Sequence, residues 1–163
     1  MLDQEAGRSG RPRRILIVDD EENVTLTLQR GLKVLPNCEI ATATGAQQAL
    51  ELFAQRSFDL LITDYRMSGM DGIALAARVQ ELYPGTATII ITGYGSQMLH
   101  RQAAGTSIRR ILEKPVKLTE IRTVASEALA VAYDSFASAE VRRAKKGNGI
   151  DAMKRVEDKH DGD

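Results

Sequence analysis

A chain of 163 residues has room for one ordinary domain and some additional tail. With 22 basic and 22 acidic residues, 43% hydrophobic residues and no tryptophan, its balance gives no sign of a nucleic-acid-binding or membrane-binding surface. No apolar run approaches the roughly 20 residues that a membrane span needs.

The first 12 residues, rich in Gly and Arg, read as a flexible leader. They lead only into a short apolar strand, which does not suit a signal peptide. Cys38, the single cysteine, leaves no partner for an internal disulfide and fits a reducing cytoplasm, the expected location. In its β-like setting it reads as a small core residue.

From there apolar strands and helix-patterned stretches alternate. Ile15–Val18 reads as a strand and is followed by Asp19-Asp20-Glu21-Glu22. Val24, Leu28, Leu32 and Leu35 then recur at helical spacing until Pro36-Asn37 closes the run. Glu39–Ala43 is the second strand, and Ala46, Ala49, Leu50 and Phe53 mark the second helix. Leu60–Thr63 is the third strand, which runs into Asp64 and a glycine-dotted loop. Ile73, Ala76, Ala77, Val79 and Leu82 mark the third helix, closed by Pro84-Gly85. Thr88–Thr92 is the fourth strand, followed by a weaker helix from Ser96 to about Ala104. Ile108–Leu112 is the fifth strand, ended by Lys114-Pro115.

A last helix begins near Leu118. No Gly or Pro interrupts it before Gly147, although the domain needs it only to about Tyr133. The reading is therefore one domain over residues 13–133. Residues 134–163 extend the last helix, which frays before Gly147, into a charged, flexible tail. This alternation predicts an α/β fold, a doubly wound parallel sheet with helices on both faces.

In such a sheet, function gathers where the strands end. Asp19 and Asp20 follow the first strand, Asp64 the third, Thr92 closes the fourth, and Lys114 follows the fifth. Taken singly, each has a plain structural role, such as a helix cap or a β-branched strand residue. Together they carry a cost, because two carboxylates ~4 Å apart repel by roughly 4 kcal/mol at an effective dielectric of 20. A hard divalent cation, Mg²⁺, answers that repulsion with oxygen ligands and leaves room for a phosphate. Asp64 could then attack an activated phosphoryl group as an oxygen nucleophile. Lys114 and the Thr92 hydroxyl would steady the phosphoryl oxygens.

The motifs ILIVDDEE, LLITDYRMSGMDG, IIITGYG and LEKPV, in this order on these elements, resemble the receiver domain of two-component response regulators. The resemblance runs from about Arg13 to Tyr133. It implies a flavodoxin-like strand order 2-1-3-4-5, with Asp64 as phosphoacceptor. Asp20 would be a direct metal ligand and Asp19 would act mostly through water. The backbone carbonyl of Arg66 would complete the protein's share of the coordination. Thr92 and Lys114 would be the switch hydroxyl and the phosphate-binding lysine, and Lys114-Pro115 a cis peptide. The implied protein is a phosphorylation-controlled switch, not a conventional turnover enzyme. Its phosphodonor would be a sensor histidine kinase or a histidine phosphotransfer protein. A homodimer through the face of the fourth helix, fifth strand and fifth helix is a further implied partner; direct nucleic-acid binding and membrane association are not expected.

The chain also departs from that pattern. Ser68 stands where the family often has proline, and Ile111 where many receivers carry the Tyr or Phe that swings inward on switching. Arg109 and Arg110 make the partner face more basic. Tyr94, two residues after Thr92, either gates the site or is a plain surface tyrosine; with Arg66 it flanks the acceptor and could slow the approach of water.

The competing reading is a Mg²⁺-dependent phosphohydrolase with an aspartyl nucleophile. Such enzymes usually carry a second acid two residues later, where this chain has Arg66. No phosphate-binding glycine loop is present, and His100 and His160 read as surface residues.

Overall fold

The computed structural model describes residues 11–93 and 95–131. The apolar runs become β1 (Arg13–Val18), β2 (Cys38–Ala43), β3 (Leu60–Asp64), β4 (Ala87–Thr92) and β5 (Ile108–Glu113) of one sheet. Every pairing is parallel and the order is β2-β1-β3-β4-β5. Between the strands lie α1 (Glu22–Leu32), α2 (Ala46–Gln55), α3 (Gly72–Leu82) and α4 (Ser96–Ala103). A fifth helix, α5, occupies residues 118–131 of the described chain. The expected doubly wound α/β fold and its flavodoxin-like order are both present.

Parallel strands need crossover helices, so both faces of the sheet are covered and the central strands are apolar on each side. Ile15, Ile17, Leu60, Ile62, Ile89 and Ile91 pack with Leu28 and Leu32 of α1 and Ile121 and Ala125 of α5. Leu16, Val18 and Leu61 face the other way, against Ala49 and Phe53 of α2 and Leu75 and Val79 of α3. Each large side chain buried this way contributes about 1.5–3 kcal/mol relative to exposure. That double cover fixes where the strands end, and so where a site can form.

Helix ends follow local chemistry. Asp71 caps α3, its side chain accepting a hydrogen bond from Ala74 N–H at 2.8 Å. α1 stops at Leu32, short of the spacing read from the sequence. Leu35 lies past the helix in the following turn, donating its N–H to Leu32 O at 3.0 Å, and still packs on the core. α1 also approaches α5 closely: a Cβ at Gly31 would meet the Leu118 side chain, and Arg122 Nε donates to Gly31 O at 2.7 Å. Cys38 is half-buried beside the same core, and burial raises its thiol pKa, which suits an inert packing residue. His100 is exposed, whereas His160 and the charged tail lie outside the described residues. No helix among the described residues is long and apolar enough to cross a membrane.

At the opposite end of the strands from the acids, Asp59 is buried just before β3. It accepts hydrogen bonds from Arg14 N–H at 2.8 Å and from both terminal nitrogens of Arg11, at 3.1 and 3.0 Å. Arg11, read from sequence as part of the leader, thus supplies the only side-chain cation within ion-pair distance of this carboxylate among the described residues. Arg11→Ala should lower stability by about 1 kcal/mol, because a buried acceptor loses a charge-assisted pair. Urea denaturation measures this, and an unchanged midpoint would show the pair to be inconsequential.

Candidate functional site

Register brings the site residues together. Val18 pairs with Thr63 across β1 and β3, so Asp19 and Asp64 leave neighbouring strands side by side. Thr92 pairs with Glu113 across β4 and β5, and Lys114 N–H donates to Thr92 O at 2.8 Å. The last residues of four strands therefore crowd one end of the sheet, as the sequence implied.

The side chains converge. One oxygen from each of Asp19, Asp20 and Asp64 lies within 4.8 Å of the others. Lys114 Nζ stands 3.1 Å from Asp64 Oδ1 and 3.8 Å from Asp19 Oδ2. Asp19 and Asp64 are buried, while Asp20 is exposed at the mouth. Thr92 is buried at the end of β4.

The charges show what the cluster costs. Burial, with the Asp64 and Asp20 charges adding to it, raises the Asp19 pKa to about 6, against the opposing Glu21 N–H and Lys114. For Lys114, burial acts to lower the pKa; the hydrogen bond and charge of Asp64, helped by Asp19 and Glu21, outweigh it and leave the pKa raised. One ammonium thus faces more carboxylate charge than it can balance. Three carboxylates offering hard oxygen donors over one opening suit Mg²⁺, and this donor set contains no soft ligand.

Asp19 Oδ1 accepts from Glu21 N–H at 2.9 Å, and the residue before α1, Glu21, makes no side-chain cap. The acidic run after β1 therefore holds the site instead of capping the helix.

The loop after Asp64 is fastened at both ends. Tyr65 N–H donates to Ile91 O at 2.8 Å, and Gly72 N–H to Tyr65 O at 2.7 Å. Gly72 is a position that the sequence reading passed over: a Cβ there would run into the backbone carbonyl of Asp64. Its signal was the Asp71-Gly72 pair, a cap followed by the tightest-packing residue. Asp71 itself caps α3 and is not a fourth acid of the site. Arg66 lies in this loop with its side chain exposed. Tyr94 falls outside the described residues.

Ile111, Arg109 and Arg110 lie along β5, away from the acid cluster. They line a groove of their own with His100 and Glu120. A larger groove of about 900 Å³ runs beside the acid site, lined by Val24 and Leu28 of α1 and by Lys114, Pro115, Val116 and Leu118. The Lys114–Pro115 peptide is cis, as the resemblance implied.

Comparison with known proteins agrees with this geometry. A family model described as the response regulator receiver domain matches residues 15–126. The transcriptional regulatory protein ZraR of Escherichia coli O157:H7 is 34% identical over 116 residues, 71% of this chain and 26% of ZraR. A probable chemotaxis protein CheY of Rhizobium etli is 30% identical over 111 residues, covering 67% of this chain and 86% of that protein. The chain thus spans about a quarter of the length of ZraR but most of the CheY-type relative. Among solved structures, the signal receiver domain of an HD domain-containing protein from Pseudomonas fluorescens Pf-5 superposes with a TM-score of 0.71 at 35% identity. That superposition covers 76% of this chain and 99% of the other.

Two predictions follow from the geometry of the acid cluster. Asp19 binds its proton more tightly folded than unfolded, so it weakens the fold progressively as pH rises from about 4 to about 6, and by a constant amount above. In the absence of metal, Asp19→Asn should therefore be more stable than wild type at pH 7.5, by up to about 3 kcal/mol, with the gain vanishing at pH 4. Adding Mg²⁺ should stabilise wild type more than the variant. Thermal melts over that range test both, and a variant no more stable at pH 7.5 would contradict the assignment. Gly72→Ala should cost roughly 1–3 kcal/mol through overpacking against Asp64, read by denaturant titration.

Proposed function

The chain belongs to the response regulator receiver family, whose members are signalling switches of two-component systems, and we propose that its acceptor is Asp64, phosphorylated by a histidine-kinase-type donor. One observation carries this reading. Lys114 Nζ lies 3.1 Å from Asp64 Oδ1 while the Asp19 and Asp20 carboxylates crowd the same opening. An oxygen nucleophile, a fixed cation and a metal-binding pair of acids are what phosphoryl transfer asks of a protein.

In the proposed step, an Asp64 carboxylate oxygen attacks phosphorus in line with the departing group. The new P–O bond forms as the donor's P–N bond breaks, and the electron pair leaves on the histidine nitrogen, which takes a proton. Lys114 balances charge on a phosphoryl oxygen as that charge leaves the donor. The Thr92 hydroxyl, at the end of β4, hydrogen-bonds a second oxygen. Asp19, Asp20, Asp64 and the Arg66 backbone carbonyl would hold Mg²⁺, Asp20 directly and Asp19 mostly through water. When bound, the ion neutralises phosphoryl charge and part of the carboxylate repulsion. Both components come from this chain's register: Asp64 and Lys114 are fixed by β3 and β5, and neither must travel to meet the other. The apolar groove beside α1 gives a donor protein a surface next to Lys114. Exposed Arg66 lies in the acceptor loop two residues after Asp64, where it can limit the access of water to the acyl phosphate.

The test is incubation with Mg²⁺ and acetyl phosphate, followed by intact mass and site mapping. One base-labile phosphoryl group on Asp64 is expected, absent in Asp64→Asn and without Mg²⁺. Lys114→Ala should slow uptake by at least about tenfold, having lost the fixed cation. Phosphoryl uptake by Asp64→Asn equal to wild type would place the acceptor elsewhere.

A further inference from the structure

β2 is an outer strand of the sheet, and its free edge meets no other strand among the described residues. The ladder to β1 shows which backbone groups that edge presents. Arg13 N–H donates to Asn37 O at 2.8 Å and Asp19 N–H to Ala43 O at 3.2 Å, one at each end of the pairing. Along a strand the direction alternates from residue to residue, so the backbone groups of Glu39 and Ala41 also face β1. The N–H and C=O groups of Cys38, Ile40 and Thr42 therefore point outward. Side chains cover only part of this row. Gln29 Nε2 of α1 donates to Ile40 O at 3.2 Å, and Gln48 Oε1 accepts from Thr44 N–H at 2.8 Å, just past the strand.

Edge strands are commonly protected by charge, and this one is not. Glu39 is the one acidic residue of CEIATA, which has no basic residue, and Arg14 Nε pairs with it at 3.3 Å. α1 lies over β2 more than over β1. Gln29 marks the side of α1 that overhangs the free edge, and Glu22, Leu26 and Lys33 follow the same stripe at helical spacing. Leu26 is exposed. Glu22 and Lys33, at opposite ends of the helix, are exposed and make no side-chain ion pair among the described residues.

We propose that this edge takes a second copy of the chain, the two β2 strands pairing antiparallel across a two-fold axis at Ile40. Ile40 then exchanges N–H and C=O with its own copy, and Cys38 lies opposite Thr42, so every outward group finds a partner. Glu39 falls opposite Ala41 and not opposite its own kind. The same axis lays α1 antiparallel beside its copy. The Glu22 end of each helix then meets the Lys33 end of the other, with Leu26 between them. An unrelated strand would satisfy the backbone edge and leave those charges unmatched. Gln29 is the latch, because its amide must leave Ile40 O before the second copy can take that carbonyl.

Sedimentation of the full, unphosphorylated chain tests this apart from whether Asp64 accepts phosphate, with reductant present because Cys38 lies on the edge. The wild type should self-associate weakly across the micromolar to millimolar range. Gln29→Ala should tighten that association about tenfold by freeing the Ile40 carbonyl. Thr42→Pro should abolish it, since the N–H removed points away from β1 and the sheet keeps its own bonds. Lys33→Glu should weaken it about tenfold, and adding Glu22→Lys to the same chain should restore it. Melts followed by circular dichroism check that each variant is folded, and the charge swap decides even where Thr42→Pro is not. Wild type and Gln29→Ala both monomeric throughout, or association indifferent to Lys33→Glu, would overturn the proposal. Association lost in Arg109→Glu on β5 but kept in Thr42→Pro would overturn it in favour of the other edge.

Discussion

Lys114 faces two buried carboxylates with one positive charge, and the end of the sheet is organised around that imbalance. Its Nζ is 3.1 Å from Asp64 and 3.8 Å from Asp19, yet Asp19 still carries a pKa raised to about 6. A cluster built only for stability would be better served by neutral or apolar groups of similar size. Here the excess negative charge is kept in place, with an exposed third acid, Asp20, at the opening. The arrangement is unfavourable alone and becomes favourable when a cation, and then a phosphoryl group, shares it. Stability given up at the carboxyl end of the sheet is the physical sign that the end is used.

Most of this was legible in the sequence because two simple signals reinforced each other. Apolar runs about five residues long, alternating with helical spacing, give a parallel sheet; charged residues placed directly after those runs must emerge at one end. That is why Asp19, Asp20, Asp64, Thr92 and Lys114 could be assigned to one edge before any distance was known. The strand order needed the resemblance as well, since alternation alone leaves the order of the strands open.

What escaped the sequence depended mainly on which partner each residue meets in the folded chain. Leu35 keeps helical spacing with Leu32 but lies in a turn, because a side chain can reach the same core from outside the helix. Gly72 looks like a loop glycine until the Asp64 carbonyl is found where its Cβ would sit. Arg11 belongs by composition to the leader, and only the burial of Asp59 shows why it is held. Asp71 resembles one more acid of the site and is a helix cap. For Arg11 and Gly72 the residue type was visible, and its partner was a residue that only the folded chain brings near; for Leu35 and Asp71 the local pattern fitted two conformations or roles equally well.

β5 runs from the acid cluster to the outer side of the sheet. Its last residue, Glu113, pairs with Thr92 and precedes Lys114, so that end is fastened to the acid cluster by the Lys114 N–H to Thr92 O bond. Its first half carries the bulge that releases Arg109. The strand between them has no strand neighbour on its outer side among the described residues. Any displacement at Thr92 or Lys114 would be taken up more readily by an outer strand with a slipped register than by β3, which is hydrogen-bonded on both sides. The two halves of β5 are therefore held unequally: the end bonded to Thr92 is fixed to the acid cluster, and the bulged start is the less constrained of the two.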